Sequence, residues 1–149
     1  MEAAIDMAES GHLVIGTLHT KSCAETIDRM ISFYEVREQT QIKNLLSGLL
    51  KIVVSQRLLK SKDNSSLELA AEVMVVDNIV SACIRKDKFN VSEIEDAIQS
   101  SAEKGSISLT TALARLCVEN KISLELAKSQ IDPKNLETLN RTIAQLSRR

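Results

Sequence analysis

Two histidines, three cysteines and Asp77, one of 20 acidic residues, are the side chains of this 149-residue chain whose type and place could support chemistry. Histidine exchanges protons near neutral pH and ligates metals. His12 and His19 bracket the apolar run Leu13-Val14-Ile15-Gly16-Thr17-Leu18. If that run is extended, the seven-residue spacing holds the two rings about 23 Å apart. Odd spacing also sends them to opposite faces. They cannot share one metal ion, and no metal site is expected. His19 closes the run at its C-terminal end, the edge that faces the ligand crevice in open α/β sheets. That makes it the first catalytic candidate, the alternative being a buried, satisfied histidine. His12 is the second, equally readable as a residue that tunes the strand or a subunit contact.

Asp77 follows Val73-Met74-Val75-Val76, an order that mimics the acidic end of a magnesium-binding strand. A helical pattern starts directly after it, so a helix N-cap is the expected role. Cys23, Cys83 and Cys117 are odd in number, far apart and form no CxxC pair. They read as reduced thiols of a cytoplasmic protein, packed as small hydrophobes. None of the four glycines opens a G-x-x-x-x-G-K-S/T loop. The chain therefore lacks the cradle of backbone N–H groups and the lysine that hold β- and γ-phosphates.

Composition removes other functions. The net charge of −1 offers no basic field for a polyanion, and Phe33, Tyr34 and Phe89 are too few for a stacking platform. Nucleic acid is not an expected partner. No apolar run is long enough for direct membrane insertion. Arg57, Lys60 and Lys62, and the terminal Arg148 and Arg149, read as a solvated loop and tail.

The elements that must position these residues follow from periodicity. Residues 2–9 read as a helix stopped by Gly11. The run 12–19 is β-compatible and suits a strand buried on both faces of a parallel sheet. Ser22 and Glu25 form a capping box ahead of Ala24, Ile27 and Ile31. Residues 35–50 carry Ile42, Leu45, Leu46, Leu49 and Leu50 on one helical stripe. Ile52–Leu59 and Leu67–Val76 read as strands of a hairpin across Lys60–Ser66. Helices follow over 78–87, 93–104 (with a Ser92/Glu95 box), 109–120, 123–130 and 134–147. Asp132-Pro133 is a cap and first-turn proline. The reading is α/β: residues 1–77 as part of an alternating core, and 78–149 as an all-helical subdomain. One conflict remains. The strand at 12–19 has no neighbour in this chain, and unpaired buried backbone is costly. Neighbour strands must come from another chain or from further polypeptide, so self-association or a rearranged strand order is expected.

Several stretches carry a resemblance. Ala8-Glu9-Ser10-Gly11-His12-Leu13-Val14, Thr17-Leu18-His19-Thr20 and Thr26-Ile27-Asp28-Arg29 resemble the His box and following helix of secretion-type motor ATPases. Val54-Ser55-Gln56-Arg57-Leu58-Leu59 resembles their ISQRLL strand, Ala70-Ala71-Glu72-Val73 the next strand, and Ala97-Ile98-Gln99 an AIQ helix. Leu109 to Leu116 and Lys121-Ile122-Ser123 resemble the closing helical hairpin. The loop 60–66 lacks the paired cysteines of a zinc-binding insertion, which favours the twitching-motility, PilT-like branch. Ile79 to Lys86 departs from that branch's AIRNLIRE helix, with Ser81 and Lys86 in place of arginine and glutamate.

The resemblance implies a partial RecA-like, P-loop NTPase core followed by helices, assembled as a homo-oligomeric ring. It implies ATP and Mg as cofactors of the intact protein, with neither held tightly by this chain. It also implies a pilus platform protein of the inner membrane as partner, and a cytoplasmic location peripheral to that membrane. His19 and His12 become catalytic candidates at the nucleotide, and Thr20 and Arg29 cofactor-binding candidates. Met1 falls where the family's sequence leaves its acidic motif, implying an internal start. Two alternatives stand beside this: a non-enzymatic helical interaction module, and an inactive truncated relic.

Overall fold

The computed structural model describes residues 1–148; of the terminal basic pair, Arg149 lies outside them. The chain forms two compact units. Residues 1–55 with 73–106 make the first. Residues 56–72 and those from Ile107 onward make the second. These units and the change of element type near residue 77 partition the chain differently.

In the first unit, α1 (Glu2–Glu9) ends at Ser10. Gly11 then takes a φ of 90°. Its N–H bonds Ala8 O and the His12 N–H bonds Met7 O, both at 3.1 Å. This is the paired closure that a left-handed glycine allows. In α2 (Cys23–Ser32), the Ser22 hydroxyl accepts from Glu25 N at 3.1 Å. The Glu25 carboxylate reaches back to Lys21 N at 2.7 Å. The capping box thus forms, shifted by one residue on its return bond. Ala24, Ile27 and Ile31 are buried as the stripe requires. In α3 (Val36–Leu49), Ile42 and Leu46 enter the core while Leu45, Leu49 and Leu50 pack half-buried beside them.

Helix α4 (Asn78–Arg85) starts on Asp77, whose Oδ1 accepts from Ile79 N and Val80 N at 2.9 and 3.0 Å. Helix α5 (Val91–Ser100) begins two residues before the expected start. Its cap is Asn90, which accepts from Ser92 N at 3.0 Å, and the Ser92/Glu95 box is not the start signal. Asparagine caps as well as serine. The core joins Ile5, Ile27, Leu46, Met74, Val80, Ile84, Ile94 and Ile98 from all these elements.

The second unit holds α6 (Leu109–Val118), α7 (Leu124–Ser129), a 3-10 turn at Pro133–Asn135 and α8 (Leu136–Leu146). Asn120 takes a φ of 58° and closes α6, with Lys121 N bonding Leu116 O at 2.9 Å. Asparagine here does what Gly11 does after α1. Leu113, Ala114, Ala127 and Leu139 are wholly buried.

Strands β1 (Ile52–Lys60) and β2 (Leu67–Val75) form one two-stranded hairpin. Bonds from Val76 N to Lys51 O and from Ser61 N to Ser66 O fix its register, setting Val54 opposite Val73 and Leu58 opposite Leu69. The inner face carries Val53, Leu59, Ala70 and Met74. The outer face leaves Ile52, Val54, Leu58, Leu67 and Leu69 exposed.

The expected strand at 12–19 does not form. Residues 13–20 are extended but make no ladder, and Leu13 and Ile15 are each 87% exposed. The backbone has no neighbouring strand among the described residues with which to close hydrogen bonds. Residues that suit a two-sided strand cannot make one alone.

Candidate functional site

The candidate residues lie along the ribbon 12–20 and on α2, with Arg29 in its last turn. Both ribbon ends are fixed. Upstream, Ser10 donates to Met7 O at 2.8 Å, and its hydroxyl lies 2.9 Å from His12 Nδ1. Downstream, the Thr26 hydroxyl donates to Ser22 O at 2.9 Å and lies 2.6 Å from the Thr20 hydroxyl. A hydroxyl has one proton. Either hydroxyl can donate across the Thr20–Thr26 pair, and Thr26 is also placed to donate to Ser22 O. The pair ties Thr20 to the first turn of α2.

Between these anchors the side chains keep a two-residue period. Val14, Leu18 and Thr20 are half-buried, while Leu13, Ile15, Thr17 and His19 are exposed. His19 therefore shares the open face with the two apolar residues. The buried alternative for His19 is overturned. His12 stands at the opposite end of the ribbon, engaged with Ser10.

Arg29 is three residues beyond Thr26, so the two are neighbours on one helix face. Its guanidinium carbon sits 5.9 Å from the Phe33 ring centroid, a cation–π contact at an exposed surface. Thr20, Thr26 and Arg29 thus fall on one side of α2. Among the described residues no cluster of three or more His, Cys, Asp or Glu is placed to hold a metal.

Asp77 is the cap expected of it and more. While Oδ1 caps α4, Oδ2 accepts Ser101 Oγ at 2.8 Å and pairs with Lys104 Nζ at 3.1 Å. Burial pushes its carboxyl up. The Val80 N–H, Ser101 and Lys104 outweigh this and hold it down at about 2. A carboxylate so occupied is not open to a metal. Lys43, missed in the sequence, is buried on α3 and donates to Lys86 O and Asp87 O at 3.3 and 2.7 Å, where α4 ends. Arg57 is no solvated loop residue: its Nη1 donates to Gln130 O at 2.7 Å, at the C-terminus of α7. Nor is Lys62 free, since its Nζ donates to Asn120 Oδ1 at 2.6 Å. Only Thr26 among the missed residues had a sequence signal, its place four after Ser22.

The sequence profile of the Type II/IV secretion system protein family matches residues 1–93. The chain belongs to this family. Among relatives, the type IV pilus retractation ATPase PilT of Pseudomonas aeruginosa is 37% identical over 127 residues, covering 85% of this chain and 36% of its own length. The twitching motility protein of Neisseria gonorrhoeae is 32% identical over 125 residues, 84% of this chain and 33% of its own. The chain thus spans about a third of the length of these relatives. The crystal structure of the pilus retraction motor PilT with bound ADP superposes with a TM-score of 0.75 at 32% identity, covering 92% of this chain and 38% of that one. The ATPase DotB of Legionella pneumophila, at 22% identity, shares the fold with a TM-score of 0.70 over 86% of this chain and 34% of its own.

As a PilT-like member of the type II/IV secretion family, the chain departs from the branch's helix wording at Ser81 and Lys86. The Ser81 hydroxyl donates to Ser47 O at 2.8 Å, and Lys86 pairs with Glu93 at 2.6 Å. Both departures are engaged within the first unit. No helix among the described residues is long and apolar enough to cross a membrane.

Proposed function

We propose that this chain is the C-terminal part of a pilus-retraction, twitching-motility motor ATPase, supplying the residues that sense the nucleotide and the helices that pass its motion on. The observation that carries the reading is His19, exposed at the end of an extended apolar ribbon and followed directly by the capped start of α2. His19 and His12 are assigned as catalytic residues and Thr20 and Arg29 as nucleotide-binding residues. A hydroxyl at Thr20, an imidazole at His19 and a guanidinium at Arg29 are groups that suit the outer side of a triphosphate. They do not suit the phosphate grip. No run of residues here offers the glycine loop and lysine that cradle β- and γ-phosphates. ATP and Mg would thus be held chiefly by polypeptide outside this chain, and the chain alone would not turn over ATP.

In the assembled motor these residues would act by position. Thr26 holds Thr20, and Thr20 fixes the backbone next to His19. His19 could then orient a water or register the γ-phosphate. The lever helices would be those of the second unit, since α4 and α5 share the core of the first. The ring, the platform protein at the inner membrane and the peripheral cytoplasmic location are part of the same reading.

The test is a chimera in which this chain replaces its matching segment in Pseudomonas aeruginosa PilT. Steady ATP hydrolysis is expected, falling at least tenfold in His19→Ala. An assembled chimera whose turnover is indifferent to His19→Ala would remove His19 from the mechanism.

A further inference from the structure

Strand β1 belongs to both compact units, with residues 52–55 in the first and 56–60 in the second. Each part is gripped by a different helix. In the first unit, Cys23 opens α2 and is wholly buried, and its thiol donates to Val53 O at 3.3 Å. In the second unit, Arg57 Nη1 donates to Gln130 O at 2.7 Å, where α7 ends. A guanidinium suits the carbonyl end of a helix, since it carries a fixed charge and several donors. The turn after β1 holds the other end of α7. There Lys62 N donates to Lys121 O at 2.8 Å, and Lys62 Nζ to Asn120 Oδ1 at 2.6 Å. Leu59 of β1 and Ala127 of α7 share one apolar cluster.

The helix that grips Val53 also holds the candidate site. Thr26 and Glu25, in the first turn of α2, bond Thr20 and Lys21, the residues that follow His19. A displacement of His19 is therefore passed to the start of α2, and from Cys23 to Val53. Val53 and Arg57 are four residues apart and share one face of the strand. A strand is close to the full reach of its backbone, so it cannot absorb a pull by lengthening. Close-packed surroundings pass displacement on in the same way.

We infer that β1 is the transmission strand of this chain, taking up movement of the His19–α2 segment at Val53 and delivering it to α7 through Arg57. Arg57 is then a positioning residue for the lever helices. This inference rests on the motor reading above.

The probe is the PilT chimera loaded with ADP or with a non-hydrolysable ATP analogue, with hydrogen exchange read at amides 127–130 of α7 and its cap. These amides are expected to exchange at rates at least fivefold apart in the two states. Arg57→Gln cuts the link in the second unit and Cys23→Ala cuts it in the first. Each should shrink the difference to less than twofold. Arg57→Lys keeps a cation at the end of α7 and should retain it. Hydrolysis in Arg57→Gln should stay within twofold of the parent chimera, unlike that in His19→Ala. Exchange at α6 and α8 reports whether the second unit stays folded; if Arg57→Gln loosens it, Cys23→Ala carries the test. A nucleotide response at α7 that survives Cys23→Ala, or Arg57→Gln in a folded second unit, overturns the transmission strand and leaves the motor reading standing. So does a parent chimera that hydrolyses ATP with no response at α7. A loss of hydrolysis in folded Arg57→Gln as deep as in His19→Ala overturns it too, since Arg57 then acts on the reaction itself. An assembled chimera that hydrolyses no ATP overturns both this inference and the motor reading.

Discussion

The ribbon 12–20 and the hairpin 52–75 are both apolar, both β-compatible, and differ in fate. The hairpin folds because its partner strand is seven residues away in sequence and its inner face meets helices. The ribbon stays unpaired because nothing in the described chain supplies a ladder. β-propensity describes fitness for a pleated, half-buried surface and cannot create the neighbour. The same physics explains the hairpin's outer face, where Val54, Leu58 and Leu69 stay exposed. Both regions leave apolar side chains uncovered among the described residues.

The largest way to break the comparison is to truncate one apolar residue in each region. Met74, wholly buried on the hairpin, should cost about 2–5 kcal/mol as Met74→Ala. Ile15→Ala should change stability by less than about 0.5 kcal/mol. Urea unfolding measures both. Equal costs would mean that the ribbon is packed after all.

A smaller effect sits where β2 hands the chain to α4. Asp77→Ala removes the cap and the Ser101 and Lys104 bonds, for a loss of about 1–2 kcal/mol. The sign of its pH dependence follows from its carboxyl being held at about 2, below the ordinary value near 3.9. The stabilisation is complete above that ordinary value and fades as pH falls from about 4 to 2. Acid titrations of the unfolding free energy should show this component in the parent and lack it in Asp77→Asn. The smallest effect belongs to the ribbon's own anchor. Thr26→Val keeps the shape but loses the bonds to Thr20 and Ser22, costing about 1 kcal/mol or less. It should speed amide exchange at Lys21, whose N–H bonds the Glu25 carboxylate, while leaving the hairpin untouched. An unchanged rate there would mean that Thr26 does not position Thr20.

Much of the fold was legible because its signals are local. Helix stripes such as Ile42-Leu46 and Ala24-Ile27-Ile31, the Gly11 stop, the Ser22 box and the hairpin need only neighbouring residues to declare themselves. The failures are non-local. The strand at 12–19 was expected from its own composition, but a strand is a property of a pair. The start of α5 was misplaced because Asn90 and Ser92 are both good caps, and only packing chose between them. The buried Lys43 has no sequence signal, since its partners are carbonyls 43 and 44 residues away. At the candidate site, His19 and Thr20 could be named from their motif. The contact between the Thr20 and Thr26 hydroxyls could not, because it depends on how the ribbon folds back onto α2.

Residue-resolved hydrogen exchange on the chain alone and within the PilT chimera probes the contrast at its root. Amides of 14–18 should exchange at nearly the rate of an open chain in the former and at least a hundredfold more slowly in the latter. Those of β1 should be protected in both. Equal rates at 14–18 in the two proteins would contradict the expectation that this ribbon pairs only when further polypeptide provides its neighbours.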